Sequence, residues 1–199
     1  MTNSSMTAGA AADSLTSSQA RLHALVRTDL EALDRSLREL VAPLTSTERR
    51  RVPPAGGWHV DAVCEHLCLA NEHYLRAMSA ALDVAPGSAP DAAQHAWRPT
   101  FAGRFLVHAL VSHRRMPRPP VLTPGPEPRP GVLEALLATH DALRALLQRS
   151  EGVAWRRVRF SSPFARLIRL NLGDGALVIV RHGERHARQI ARIRSALAT

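Results

Sequence analysis

The chain has 199 residues, enough for one domain with its own hydrophobic core, and no break in composition divides it. All 26 basic residues are arginine, so a Schiff-base lysine and a phosphate-loop lysine are both excluded. The formal charge of +9 admits either a solvated arginine surface or an acidic partner, while an aromatic fraction of 4% removes the stacking platform that single-stranded nucleic acid needs.

Residues 1–18 are rich in Ser, Thr and Ala without periodicity and are expected to be a flexible tail, leaving 19–199 as the domain. The opening lacks the pattern of a signal peptide, and no apolar run is long enough to span a bilayer, so a cytoplasmic protein with no membrane partner is expected. Cys64 and Cys68, one helical turn apart, are read as reduced residues rather than a disulfide framework. From about Arg21, Leu22, Val26, Leu30, Leu33, Leu37 and Leu40 recur at helical spacing, and this first helix ends before Pro43. The linker from Thr45 to Gly57 carries Pro53, Pro54, Gly56 and Gly57 and cannot continue a helix.

A second helix is predicted from about His59 to Leu82, and a short one around Phe101 to Ser112. The proline density from Met116 to Pro130 forces an extended path. The third long helix covers about Val132 to Arg149. Residues Glu151 to Leu170, where arginine alternates with apolar side chains, are expected to be extended, and the fourth long helix runs from about Asn171, as its N-cap, to Leu197. Four long amphipathic helices without a convincing sheet predict an all-α, four-helix bundle, with the long proline-rich crossover between the second and third.

The fourth helix carries the candidate chemistry. His182 and His186 lie one turn apart in the same arc as Leu172, Ile179, Ile190 and Ile193, so both face the core, while Arg181, Arg185, Arg188 and Arg192 are placed on the opposite, water-facing side. Two unpartnered buried imidazoles are costly, and a metal ion shared with a third histidine resolves the cost. His66 on the second helix is the candidate third ligand. His73 shares its face two turns away, about 10 Å by helical rise, too far for the same ion but able to meet substrate. Cys64 and Cys68 fall half a turn aside. His140 on the third helix faces inward, either as a packed core histidine or as a substrate contact. Glu184 points away from both histidines, so the pair is not the zinc-peptidase motif with its glutamate base. On spacing alone, a metal site and two core histidines remain equally open.

Gly57-Trp58, Glu65-His66-Leu67, Gly103-Arg104-Phe105 onward to Pro120, Arg159 to Pro163, the run Leu172 to Leu177, and His182-x-x-Arg185-His186-x-x-Gln189 together resemble the DinB-like (DinB/YfiT-like) superfamily of metalloenzymes, over about Arg21 to Leu197. The resemblance implies a bundle of up-down-down-up order, often dimeric, with one divalent ion, zinc or nickel, on His66, His182 and His186. It brings Arg185 and Gln189 in as substrate-contacting or supporting residues. It further implies activation of water or a low-molecular-weight thiol, for hydrolysis or thiol transfer, on a small and possibly anionic substrate. The alternatives are a non-catalytic bundle whose metal only ties two helices, and nucleic-acid binding, which the lack of a recognition motif disfavours. Gly175 and Gly183 each cost about 1 kcal/mol relative to Ala inside a helix, a sign of close packing at the metal.

Overall fold

The computed structural model describes residues 18–85, 87, 96–112 and 119–197, so the expected tail lies outside the described residues except for Ser18. Helix α1 spans Gln19–Val41 and starts where the Ser18 hydroxyl accepts the Arg21 amide at 3.4 Å. Its stripe of Leu22, Val26, Leu30, Leu33 and Leu37 is buried as the spacing predicts, but Val41 rather than Leu40 completes it. The linker holds a short helix that periodicity could not reveal. This α2, Ser46–Arg50, is closed by a reciprocal cap between Thr45 and Glu48, and its Arg49 pairs at 3.1 Å with the buried Asp61.

Helix α3, Val60–Asp83, begins where His59 Nδ1 accepts the Ala62 amide at 3.2 Å. Its first turns, Val60 through Cys68, are buried on every side. Helix α4, Phe101–Val111, is capped by Thr100; α5 is Val132–Arg149; and α6 is Leu172–Leu197. Between α5 and α6 the extended segment folds into a hairpin, β1 Arg159–Ser162 and β2 Ala165–Asn171, in antiparallel register with Phe160 opposite Leu170. The described residues are therefore mostly helical, as the all-α expectation has it, with one small two-stranded sheet added where only an extended segment is expected. Phe160 and Leu170 are buried, and Tyr74 of α3 meets Phe160 and Phe164 edge to face.

The four long helices pack as a closed ring, α1 on α6, α6 on α3, α3 on α5 and α5 on α1. Gly173 sits against Leu22 and Gly183 against Leu33, so α1 and α6 run the same way. Gly175 meets Met78 while His182 meets His66, so α3 and α6 oppose each other. Asn71 donates to Thr139 and Arg149 pairs with Asp83, which makes α3 and α5 parallel. The helical glycines earn their cost, since a Cβ at Gly175 would stand 2.7 Å from the Met78 sulfur and one at Gly183 2.5 Å from a Leu33 methyl.

The apolar interior divides in two along α6. One part gathers Leu22, Leu30, Met78, Trp97, Leu147 and Ile179; the other gathers Leu37, Val63, Leu67, Leu136, Ala187 and Ile190. His182 and His186 fall at the boundary. Part of the proline-rich crossover is outside the described residues, but from Pro119 onward it lies as a strap on α3. Leu122, in the 3₁₀ turn Pro120–Leu122, is buried, and Arg129 makes a forked pair with the buried Glu65 and reaches Glu72. Among the described residues no helix is long and apolar enough to cross a membrane.

Candidate metal centre

The aim of the histidines on α6 is set at its first turn. Asn171 is the N-cap, as its position predicts: its Oδ1 accepts the Asp174 amide at 3.0 Å, and the Asp174 carboxylate accepts the Asn171 amide at 3.0 Å. The same carboxylate accepts from the Thr100 amide and hydroxyl, while Asn171 accepts from the Trp97 indole and donates to the Arg98 carbonyl. One polar knot thus starts both α4 and α6. Burial pushes the Asp174 carboxyl up, opposed by these hydrogen bonds. Gly103 passes so close that a Cβ there would stand 2.2 Å from Asp174.

Eleven residues further on, His182 and His186 meet His66 of α3. The three rings offer ligand nitrogens that all lie within 4.8 Å of one another, with His182 Nε2 3.2 Å from His66 Nε2 and 3.1 Å from His186 Nε2. The far nitrogens of two rings are already engaged. His66 Nδ1 donates to the Leu122 carbonyl at 2.7 Å, and His186 Nδ1 donates to Gln189 Oε1 at 2.7 Å. These bonds fix the tautomers, so both Nε2 atoms carry lone pairs toward His182.

His182 has at most one proton to place on Nε2, so at least one of the two short contacts sets lone pair against lone pair. Extra protons do not relieve this. Burial first, then the neighbouring His186 and His66, push His182 well below the ordinary histidine range, and burial with the His66 ring beside it brings His186 to about 3. The group that fits is a cation. Tetrahedral bonds of about 2.0–2.1 Å place imidazole nitrogens about 3.3–3.4 Å apart, close to both observed separations. His66 is buried under Trp58, whose ring lies 4.9 Å away, while His182 and His186 keep a partly exposed edge.

The other candidate residues scatter. His73 is not part of the group; its ring packs edge-on against Phe164 at the hairpin turn, 5.6 Å between centroids. His140 is fully buried and joins Asp34 of α1 at 2.5 Å, where Arg144 also binds. Arg185 donates to the carbonyls of Leu110 and Ser112 and so holds the C-terminal end of α4. Arg181 pairs with Asp29 and Glu184. The expectation that all four α6 arginines face water therefore holds only for Arg188 and Arg192, because α1 and α4 supply partners that a helical wheel cannot show. Cys64 and Cys68 are buried free thiols, and burial raises both, Cys68 to about 12, which removes them as ready nucleophiles. Two contributors escaped the sequence reading: the Leu122 carbonyl, which no side-chain pattern announces, and a small cavity of about 120 Å³ lined by Val111, Ser112, Arg185, Arg188, Arg192 and Gln189, the last of which bonds His186.

A helical fold that closes three imidazoles around one point defines a candidate metal-binding protein. The family model described as the DinB superfamily matches residues 29–190, and the chain belongs to that superfamily. No curated protein and no solved structure matches it.

Proposed function

We propose that the chain is a metal-dependent enzyme holding one divalent ion, zinc or nickel, on His66, His182 and His186. The observation that carries this reading is the convergence of three Nε2 atoms, two of them on rings, His66 and His186, whose tautomers are preset by Leu122 and Gln189. Such an ion supplies Lewis acidity and a lowered pKa for bound water or thiol, the chemistry of hydrolysis or thiol transfer. The protein's own part is to hold the His66 and His186 rings in one tautomer, to shield one side with Trp58 and the strap, and to orient substrate. Arg188 and Arg192, beside Gln189, give the small cavity a positive lining that suits an anionic group on a small substrate or a low-molecular-weight thiol.

In this reading the domain is residues 19–199, a four-helix bundle in up-down-down-up order, an order supported by the parallel pairs α1 with α6 and α3 with α5. The protein works in the cytoplasm as a homodimer; the exposed Phe101 and Phe105, one turn apart on α4, are a face that a second copy would cover. Purification without an affinity tag followed by elemental analysis should find one metal per chain, lost in His182→Ala and His186→Ala. A metal-free wild type at full stability overturns the proposal. Hydrolase and thiol-transfer panels with and without added metal separate catalysis from a purely structural tie between α3 and α6.

A further inference from the structure

Away from the histidines, at the end of the molecule where α4 and α6 begin, lies a cavity of about 520 Å³ lined by Arg98, Pro99, Thr100, Arg156, Arg157, Arg159 and Asn171. Asn171 precedes His182 by eleven residues, about 16 Å along the helix, so this cavity is separate from the metal centre. Its volume is within the range of small-molecule sites, roughly 300–1,000 Å³.

Four guanidinium groups lining one cavity repel one another, and surface arginines ordinarily relieve this with carboxylates. Arg49, Arg129, Arg144, Arg149 and Arg181 all do so here. Among the described residues, none of Arg98, Arg156, Arg157 and Arg159 forms an ion pair. Arg159 acts on the carboxylate of Asp174 by charge alone, without an ion pair, and Asp174 is buried and already accepts from Thr100 and Asn171.

The backbone beneath these arginines is held in place. Arg98 offers its carbonyl to Asn171, Arg159 faces Asn171 across the hairpin, and the turn bearing Arg156 and Arg157 is locked at 2.8 Å by Arg157 to Ala154. Buried Trp155 anchors that turn, its indole donating to Ser150 and its amide to Gln19 at 2.8 Å each. With that backbone fixed, only the exposed side chains of the four arginines have to be ordered on binding, and planar guanidinium groups pair in bidentate fashion with phosphate oxygens. Thr100 and Asn171 are also the caps of α4 and α6, so the positive ends of two helices adjoin the cavity.

We propose that this cavity binds a compact soluble polyanion carrying two or more phosphate groups. Four positive charges around one concavity call for several negative charges in a small volume, and the lining has no aromatic ring on which a base would stack.

Calorimetric titration of the full chain with pyrophosphate at fixed ionic strength tests this. One pyrophosphate should bind per chain, the Arg156→Ala/Arg157→Ala pair should weaken it about tenfold or more, and Arg192→Ala and His182→Ala, at the other sites, should leave it unchanged. Both arginines of the pair are exposed, so the variant should melt as the wild type does. The proposal is overturned if pyrophosphate gives no binding, if the double variant binds as well as wild type, or if His182→Ala abolishes binding and so places it at the metal centre. Tighter binding of a duplex oligonucleotide that displaces pyrophosphate would assign the arginines to nucleic acid instead.

Discussion

Replacing Gln189 by leucine keeps the bulk of the side chain and removes the oxygen that receives the His186 Nδ1 proton at 2.7 Å. Without that acceptor the ring is free to carry its proton on Nε2, the atom 3.1 Å from His182, and a metal must then compete with it. Outer hydrogen bonds of this kind are worth about 10–100-fold in metal affinity, which is about 1.4–2.7 kcal/mol. The metal-free fold should feel much less, about 0.5–1.5 kcal/mol for one lost hydrogen bond at a partly exposed site. Zinc affinity is measured by competition against a chromophoric chelator, with urea denaturation of the metal-free protein as the control. Gln189→Glu restores an acceptor, and should bind at least as tightly as wild type. Equal affinity for wild type and Gln189→Leu would refute the idea that the tautomer is set from outside the ring of ligands.

Two further outcomes follow from geometry and burial. Gly183→Ala gains up to about 1 kcal/mol of helix propensity but must displace a Leu33 methyl 2.5 Å from the new Cβ, at a cost of about 1–3 kcal/mol. Gly173→Ala meets the Trp97 indole nitrogen at 2.2 Å, which Asn171 holds fixed, so melting curves should rank it as the more damaging; the reverse order would contradict the packing described. The metal-free protein should also lose stability in acid. His182 and His186 resist protonation when folded, His186 down to about 3, whereas the unfolded chain takes up protons near 6.5. Stability is therefore level above about pH 6.5 and falls below it, by up to about 1.4 kcal/mol per pH unit for each histidine, a loss that continues for His186 toward its folded value. Urea midpoints that do not change between neutral and mildly acidic pH would remove that account.

The sequence disclosed the long helices because each carries many turns of one pattern, as Leu22 to Leu37 shows; periodicity also showed that His182 and His186 share an inward face, but it did not separate His66 from His73 on α3, and the DinB-like resemblance was needed to complete the trio. Elements too short to repeat were harder. The helix Ser46–Arg50 has no period, and only its Thr45 and Glu48 bookends signal it. The hairpin was legible only as alternation, because its pairing depends on Phe160 and Leu170 finding a core that other elements build. Arg181 and Arg185 looked solvated since a wheel drawn for one helix contains neither Asp29 nor the end of α4.

The grip on His66 comes from a main-chain oxygen, and that changes what mutation can do to it. A glutamine or an aspartate in such a role can be erased by one codon; a carbonyl belongs to every amino acid. Residue 122 can thus vary among apolar side chains that fill the same buried place without surrendering the imidazole's orientation, provided the prolines before it and Arg129 after it keep the segment seated on α3. Tolerance to apolar substitution of similar size at the contact itself, paired with sensitivity at the fasteners several residues away, is the pattern a mutational scan of this stretch should display.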